Sequence, residues 1–448
     1  MNATRPVERL QVTVGDRQVV SLAGLHLVGE VAERVELPAA LSDAAGVPGA
    51  VHDRGRLLAQ VALMLAGGGR CVADMDALRD QPDVFGSVAS SPTIWRTFMS
   101  IDAGTLGALR RARAAARERV WSARRPPKTL ILDVDASLLE IHSEHKERTA
   151  SHFKGGFGFH PMLCFADHSG EALAGILRPG NATANSGADQ LAVVDLAIDQ
   201  LPADYQAGHR PGGDRRDVAH RVVVRADSAG AVGAFVAGLV ARNCEFSITA
   251  RVNAQLDAAI AAGKPRAWRP ALGADGQPRT GAEIAELDLA LAGWPSGTRA
   301  IVRRERPHPG AQLKLWDRDG YRHQVVLTNS RGDAARLELR HRRHGHVENR
   351  IKNLKDTGVE RMPFSAFDAN AAWMEMALTA ADLLVWTQQL CFTGELARCE
   401  PRTLRYRILH VAARLIRSAR RVELRLPANW PWSRQLLRGY TRLDALRI

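Results

Sequence analysis

The sequence is poor in cysteine and lysine and has no long uninterrupted apolar run. Its five cysteines are scattered along the chain and include no C-x-x-C pair. That pattern argues against a disulfide scaffold or a zinc ribbon and fits a reducing cytoplasm. The first ten residues, MNATRPVERL, contain no apolar signal core. We therefore expect a cytoplasmic protein.

Apolar segments of membrane-spanning length are also missing. The most apolar helical stretch, AAWMEMALTAADLLVW, carries Glu375 and Asp382, and this predicts a core helix rather than a membrane span. No repeat with the period of a solenoid is visible. We expect a globular chain without a membrane partner.

Arginine is what the sequence has in excess. Basic residues number 61 against 48 acidic ones, a formal net charge of +13. Residues 401–448 alone hold 12 arginines against Glu423 and Asp444, a local surplus of 12 − 2 = +10. A basic segment of this size indicates a polyanionic partner such as nucleic acid. The alternative is an ordinary solvated, arginine-rich surface.

The length of 448 residues predicts about two to four domains. We expect short strands and loops over residues 1–50, followed by helices. The helix GTLGALRRARAAARERVW places Arg110, Arg113 and Arg117 on one face. Helices with a basic face resemble a helix-turn-helix module, and a plain helical bundle is the alternative. Residues 1–125 are therefore predicted to form a helical DNA-binding region.

Residues 126–250 and 336–400 predict an α/β catalytic domain that is split in the sequence. TLILDVD, FHPMLCFAD and EALAGILR are three meandering strands, and HRVVVRAD and CEFSITARV alternate with helices. This order predicts a mixed sheet flanked by helices. Residues 251–335 break the rhythm with RAIVRRERP, QLKLWDRDG and YRHQVVLTNS, which predict a β-rich insertion.

Helical patterning resumes in HVENRIKNLKDTG, where Gly358 is a natural helix end. The segment RTLRYRILHVAARLIRSARR predicts one final two-sided helix in a basic region, residues 401–448. Its apolar stripe contains Leu404, Ile408, Val411 and Leu415. The other face predicts phosphate contacts from Arg407, Arg414, Arg417 and Arg421.

Four acids are candidates for chemistry. Asp133 and Asp135 lie two residues apart in KTLILDVDASLLEI and so point from the same face of a strand. Burying like charges together is costly unless a cation or hydrogen-bond donors compensate. Asp227 ends an apolar strand, and Glu348 lies on a helix in a basic context. Convergence of these carboxylates would suit two Mg²⁺ ions, with Mn²⁺ as a substitute.

Each acid also has a purely structural interpretation. Asp133 would bond to backbone donors or to arginine, and Asp227 would cap the following helix. Glu348 would pair with Lys352 one helical turn later. Individually these signals are weak, and their order along the chain strengthens them.

The segments DVDASLLEIHSEHKE, VVVRADSAG and VENRIKNLK resemble the RNase H-like DDE transposases of bacterial insertion sequences, and more narrowly the IS thirteen-eighty family. The resemblance implies an RNase H-like mixed sheet with the insertion between the second and third acids. It implies Asp135, with Asp133 as the fallback, as the first catalytic acid, followed by Asp227 and Glu348.

The resemblance also implies Mg²⁺-dependent cleavage at terminal inverted repeats and transfer of the 3′-hydroxyl to target DNA. Two chains would act as a homodimer on the paired ends, in a bacterial, nucleoid-associated protein. The related group carries Y-x-x-R-x-x-x-E-x-x-x-x-x-x-K, in which Lys355 matches the lysine. His341 and His344 replace the Tyr and Arg. We expect these three residues to contact DNA, together with Arg343, Arg350 and Lys352.

Two other functions fit parts of the sequence. LILDVDAS resembles the phosphatase motif of the haloacid dehalogenase superfamily, with Asp133 as nucleophile and Asp135 as acid/base. The other alternative is a catalytically inactive, transposase-derived DNA-binding protein. Trp294 and Trp316 in the insertion are candidates for stacking on an unpaired base, although ordinary core positions fit them better.

Overall fold

The computed structural model describes residues 18–124, 126–262, 267–289, 291–307, 310–311, 317–418 and 421–447. After a two-residue strand, β1 (Val19–Val20), the first part is helical. Its seven helices are α1 (Leu25–Arg34), α2 (Leu37–Ala45), α3 (Arg54–Ala66), α4 (Asp76–Arg79), α5 (Pro82–Phe85), α6 (Ser91–Met99) and α7 (Ala103–Ala123). The strands and loops expected up to residue 50 are wrong for the described residues from 25 to 45.

The apolar spacing explains the first helix. Leu27, Val28 and Val31 of α1 are fully buried, the pattern of a helix packed on one face. Side-chain caps set the starts of two longer helices. Asp53 accepts a hydrogen bond from the Arg56 amide (2.7 Å), and Asp102 caps α7 in the same way.

The central sheet has nine strands in the order β10-β11-β12-β13-β9-β8-β2-β6-β7. Strands β2, β8 and β9 run parallel, whereas β6, β7 and β10 to β13 join in antiparallel pairs. The strand ranges are β2 (Thr129–Ala136), β6 (Met162–Ala166), β7 (Ala172–Ile176), β8 (Arg221–Ala226), β9 (Glu245–Ala250), β10 (Arg269–Leu272), β11 (Pro278–Leu287), β12 (Arg299–Glu305) and β13 (Arg322–Thr328). A smaller sheet beside it contains β3 (Leu139–Glu140), β4 (Ala150–Ser151) and β5 (Phe157–Phe159).

The β-rich character predicted for residues 251–335 is present in the described part of that segment. Its strands continue the central sheet, because β13 pairs with β9 from Val325 opposite Ala250 to Thr328 opposite Ser247. Val302, Val325 and Leu327 belong to the apolar core that packs against this extension. Part of QLKLWDRDG, including Trp316, lies outside the described residues. Trp294 packs against the core, with its ring 6.0 Å from that of Phe246.

Helices cover the sheet. They are α8 (Gly187–Ile198), α9 (Ala203–Gln206), α10 (Gly233–Val240), α11 (Ala254–Ala262), α12 (Ala334–Arg342), α13 (His346–Leu354) and α14 (Phe367–Cys391). Helix α14 is the central core helix, with Trp373 and Trp386 fully buried. Gly358, just after α13, has a φ of 94°, the left-handed conformation of the predicted helix end. None of the described helices is both long and apolar enough to cross a membrane.

The predicted basic face of α7 is wrong. Arg113 and Arg117 are almost completely buried, at 1% and 0% exposure. Arg113 bonds to Glu375 (2.8 Å) and Asp382 (2.8 Å) of α14, and Arg117 bonds to Asp382 and to Glu171 (3.0 Å). These arginines therefore join α7 to the core and are not available to DNA.

The single C-terminal helix predicted from residue 402 to 421 is also wrong. The chain forms α15 (Pro401–Leu404), a wide turn over Arg405–Leu409, the strands β14 (Ala413–Ser418) and β15 (Arg421–Arg425), and α16 (Ser433–Asp444). Strand β14 pairs with β1 and β15, and buried Ala413 and Leu415 flank exposed Arg414 in the two-residue period of a strand. The predicted apolar stripe is nevertheless buried, from Leu404 to Leu415.

Candidate active site

The register of two parallel strands brings two predicted acids together. Strand β2 pairs with β8 so that Asp133 lies opposite Arg225 and Val134 lies opposite Ala226. Asp135 is the next residue of β2, and Asp227 directly follows the last residue of β8. Because neighbouring strands lie about 4.8 Å apart, their backbones are adjacent at the carboxyl ends of the strands.

The other two predicted catalytic acids, Asp227 and Glu348, act electrostatically on Asp135. Burial raises the pKa of Asp135 to about 6, and the charges of Asp227 and Glu348 contribute to the rise. The Ala136 amide, which donates to Asp135 Oδ1 (2.7 Å), and the nearby His344 oppose it. Asp135 is thus close enough to Asp227 and Glu348 to be affected by their negative charge.

Asp227 and Glu348 keep carboxylate surface open to solvent. Asp227 is exposed and caps the short turn Ser228–Gly230 through one oxygen, which accepts from the Ala229 amide (2.8 Å). The expected capping role therefore exists, and it engages a single oxygen. Glu348 is exposed in the first turn of α13. Within the described part of the chain it forms no ion pair with Lys352.

Asp133 is held in a different way from Asp135. Arg225 donates to both of its oxygens (2.7 Å each), His344 Nδ1 lies 2.9 Å from Oδ1, and Arg350 donates to Oδ2 (2.7 Å). Burial opposes ionisation of Asp133, but the bonds to His344 and Arg225 outweigh it and lower the pKa to about 2. With both oxygens bound to these partners, Asp133 is placed as an anchor and has no oxygen left for a metal.

Asp167 and Arg225 complete this buried charge network and were not predicted from the sequence. Asp167 pairs with Arg225 (2.8 Å) and with Arg350 (3.1 Å), so two acids alternate with two arginines. The network joins β2, β8, α13 and the end of β6. The signal in the sequence was Arg225 itself, an arginine inside the apolar run VVVRA two residues before Asp227.

The two histidines in the Tyr and Arg positions of the motif are not on the surface. His341 is buried between the hydroxyls of Ser247 (2.9 Å) and Thr249 (2.8 Å) of β9. Burial lowers its pKa to about 3, so the ring is neutral. His344 is also buried against Asp133. We correct the expected DNA contacts of both histidines, because the structure uses their rings to support the sheet.

The other predicted DNA contacts are divided between two places. On and beside α13, Arg343 and Lys352 are exposed, and Arg350 is engaged in the charge network. Lys355 donates to the carbonyl oxygen of Leu138 (2.8 Å), three residues after Asp135, and burial lowers its pKa. Lys355 therefore fixes the loop that follows the first acid.

The four C-terminal arginines lie apart from the strands that carry the acids. Arg407 pairs with Glu395 (2.7 Å) and covers the Trp432 ring at 5.2 Å. Arg414, Arg417 and Arg421 are exposed on β14 and β15, and Arg417 pairs with Asp83. Arg414 and Arg421 share one face of the strand pair, because Arg421 lies opposite Ser418, and we call this exposed basic face the β14–β15 surface.

The three acids suit a divalent ion in their chemistry. Their donors are all carboxylate oxygens, which hard cations such as Mg²⁺ prefer, and burial together with the charges of Asp227 and Glu348 raises the pKa of Asp135. Among the described residues, however, no three His, Cys, Asp or Glu side chains are placed as ligands of a single metal ion. The acids are adjacent without forming a closed ligand set.

Comparison with known proteins gives the class and then the family. A family model described as transposase DDE domain, group 1, matches residues 4–448. The protein is therefore a transposase. It belongs to the transposase DDE domain group 1 family. None of the curated proteins matches the sequence.

One solved structure similar to this chain is a piggyBac transposase synaptic complex with hairpin DNA, determined by cryo-electron microscopy. The sequences are 11% identical, and the match covers 87% of this chain and 79% of that chain with a TM-score of 0.40.

Proposed function

We propose that this transposase cleaves DNA at the terminal inverted repeats of its own element and joins the resulting 3′-hydroxyl to target DNA. The observation that carries the proposal is the position of Asp135 beside Asp227, with the charge of Glu348 acting on Asp135. The strand order β7-β6-β2-β8-β9, with β2, β8 and β9 parallel, supports an RNase H-like core. The three quoted motifs support the narrower IS thirteen-eighty assignment.

Asp135, Asp227 and Glu348 would hold two Mg²⁺ ions, or Mn²⁺ in their place. When bound, these ions supply charge stabilisation to the attacking and leaving oxygens of an in-line displacement. The carboxylates bind in their ionised form, so Asp135 has to lose its proton first. Its raised pKa makes that step depend on pH near 6.

Neighbouring residues keep the acids in place. Arg225 and Arg350 bind Asp133 from β8 and α13, and so fix the three elements that carry the catalytic acids. Lys355 fixes Leu138 in the loop after Asp135. A site held on rigid elements in this way keeps its ligands in position before DNA arrives.

The test is cleavage, in Mg²⁺, of a duplex made from DNA that borders the coding sequence. Asp135→Ala, Asp227→Ala and Glu348→Ala should each abolish cleavage and leave binding to the same duplex nearly unchanged. Asp43→Ala, an exposed acid on α2, is the matched control and should cleave normally. Cleavage by any one of the three variants would remove that residue from the site.

The same reaction separates the alternatives. Wild-type protein that binds the duplex and never cleaves it would support the inactive DNA-binding protein. A haloacid dehalogenase-like phosphatase needs Asp133 as a nucleophile, whereas both Asp133 oxygens are bound by Arg225, His344 and Arg350. We therefore expect no hydrolysis of p-nitrophenyl phosphate. We also propose that two chains act on the paired ends, and mass photometry with end DNA tests this.

A further inference from the structure

An exposed phenylalanine stands at the tip of the hairpin formed by β4 and β5. The strands pair Ala150 with Gly158 and Ser151 with Phe157, which leaves residues 152–156 as the turn. Phe153 in this turn is 78% exposed, more than any other aromatic side chain in the described part of the chain. Single exposed apolar residues are common, so the surroundings of Phe153 decide whether it has a function.

Backbone hydrogen bonds and the buried ring of His152 fix the turn. The His152 amide donates to the Gly156 carbonyl (2.9 Å), and the Gly155 amide donates to the His152 carbonyl (3.0 Å). The Lys154 amide donates to His152 Nδ1 (3.3 Å), so the ring proton is on Nε2, 3.4 Å from a Glu140 oxygen. The backbone that carries Phe153 is therefore held while its ring projects into solvent.

Gly156 allows the histidine to pack so closely. A Cβ atom at this position would lie 2.5 Å from His152 Nε2 and 2.9 Å from a Glu140 oxygen. The turn is thus built around the His152 ring. Phe153 meets the rings of His152 and His160 at centroid distances of 6.5 and 6.2 Å, and most of its side chain remains exposed.

The hairpin lies next to the candidate active site. Strand β3 begins four residues after Asp135, and its Glu140 pairs with Gly158 of β5. Lys355 binds Leu138 in the connecting loop. The charges of Lys154 and Glu140 also act on the pKa of Lys355, so both residues lie near it. Lys355 follows Glu348 by two turns of helix, about 10 Å.

The chemistry at the tip combines an apolar ring with positive charge. Lys154 Nζ lies 5.9 Å from the centre of the Phe153 ring. Lys355 is bound to the carbonyl oxygen of Leu138, in the loop between Asp135 and β3. An aromatic ring stacks on a nucleobase, and an ammonium group beside it, such as that of Lys154, binds an adjacent phosphate.

We propose that Phe153 is a wedge that stacks against the bases beside the scissile phosphate, with Lys154 bound to a neighbouring phosphate. This proposal rests on the proposed function, because it places cleavable DNA at the three acids. Phe153 acts by positioning the DNA and is not a catalytic residue. Unstacking one base step lets the phosphate approach the acids beside the rigid turn.

The experiment uses the full-length protein and the end duplex, after the cleaved position has been mapped. A 2-aminopurine is placed on either side of that position, because its fluorescence rises when it loses its stacking partner. Wild-type protein should raise the fluorescence at one position. Phe153→Ala should abolish the rise and slow cleavage about tenfold, whereas Phe153→Trp should retain both.

A pre-unstacked substrate distinguishes the wedge from a structural role. A mismatch beside the scissile phosphate should restore the cleavage rate of Phe153→Ala to within about twofold of wild type, because the wedge is then not needed. Val51→Ala removes another apolar side chain, 96% exposed, and should behave as wild type on both duplexes. Lys154→Gln should weaken duplex binding and lower its salt dependence.

The outcomes are separable from those of the proposed function. Normal cleavage and normal fluorescence with Phe153→Ala would overturn the wedge and leave the transposase reaction intact. Slow cleavage that a mismatch does not rescue would also overturn it, since the residue would then act on folding or on another partner. Wild-type protein that fails to cleave would remove both proposals.

Discussion

Asp133 and Asp135 lie two residues apart on one face of β2, yet their environments differ. Asp133 has a pKa of about 2 because Arg225, His344 and Arg350 surround it. Asp135 has a pKa of about 6 because it is buried beside two other acids. The first carboxylate fixes the strands together, and the second carries negative charge that a cation would relieve.

Replacing each aspartate with asparagine should therefore change stability in opposite directions. Asp133→Asn leaves Arg225 and Arg350 with Asp167 as their remaining charge partner, and should lower the free energy of unfolding by about 3–5 kcal/mol. Asp135→Asn removes a carboxylate that is ionised at pH 7.5 but whose charge is less favourable in the folded than in the unfolded chain, and should raise the free energy of unfolding by about 1–3 kcal/mol. Urea unfolding in EDTA measures both. A loss of stability with Asp135→Asn would show that its charge is already compensated.

His341 predicts a loss of stability in mild acid. Its folded-state pKa of about 3 lies below the ordinary value of 6.5, so the unfolded chain takes up the proton first as pH falls. The stabilising contribution is complete above about pH 6.5 and decreases towards pH 3. At pH 5 the loss is about 2 kcal/mol from this residue.

His341→Gln keeps an uncharged, hydrogen-bonding side chain beside Ser247 and Thr249. Unfolding in urea at pH 7.5 and pH 5.0 should show a smaller stability difference for this variant than for wild type. His26→Gln, a half-buried histidine on α1, is the control and should retain the wild-type difference. Equal pH dependence in all three proteins would rule out His341 as its source.

At the scale of secondary-structure elements, α7 and α14 are joined by charge as well as by apolar contact. Arg113 and Arg117 lie one turn apart on α7, and Glu375 and Asp382 lie two turns apart on α14. Each pair faces inward because the other supplies the opposite charge. Trp386 and Trp121 also donate to Glu171 (2.7 and 2.9 Å), the third acid of the group.

Arg117→Met should destabilise the protein without affecting its DNA contacts. The change leaves Glu171 and Asp382 short of one buried cation, and the free energy of unfolding should fall by about 3–5 kcal/mol. Arg111→Met, an exposed position on the same helix, should change it by less than about 0.5 kcal/mol. Thermal unfolding compares the two. A similar effect at both positions would mean that helix propensity, not the ion pairs, is responsible.

Sequence patterns located the elements that depend on local signals. The apolar run before Asp227 predicted the strand β8, and Gly358 predicted the end of the helix that precedes it. The arginine face of α7 was misassigned because its partners are more than 250 residues away on α14. The strand β14 was missed for a similar reason, since its pairing with β1 joins the two ends of the chain.

Only part of the candidate site could be predicted from the sequence. The three acids Asp135, Asp227 and Glu348 follow from motif and element order, and they remain the proposed catalytic set. The network around Asp133 depends on the β2–β8 register, which places Arg225 opposite it. A sequence pattern does not specify that register, so the roles of Arg350 and the two motif histidines emerged only from the fold.

At the scale of the whole molecule, the 61 basic residues, which exceed the 48 acidic ones by 13, include two different populations of arginine. Arg113, Arg117 and Arg225 are buried and neutralised by acids. Arg414 and Arg421 are exposed on the β14–β15 surface. Only the exposed population can exchange counterions for DNA phosphates, so a count of arginines from the sequence overstates the number available to DNA.

This distinction predicts which arginines control the salt dependence of DNA binding. Each phosphate contact contributes about 0.9 to the slope of log affinity against log salt concentration. The double variant Arg414→Gln and Arg421→Gln should therefore reduce this slope by up to about 1.8. Fluorescence anisotropy with end duplex measures the slope between about 50 and about 200 mM salt. Cleavage rates at saturating protein should change little, because the acids lie on other strands.

A second double variant controls for the loss of positive charge alone. Arg215→Gln and Arg216→Gln remove two exposed arginines from the turn Arg215–Asp217 and change the net charge by the same amount. If contact with DNA sets the slope, only the β14–β15 variant alters it. If the overall field of the protein sets the slope, both variants lower it equally, and the assignment of the β14–β15 surface to DNA fails. Because both pairs are exposed, neither change should disturb the core, and the comparison isolates position from charge.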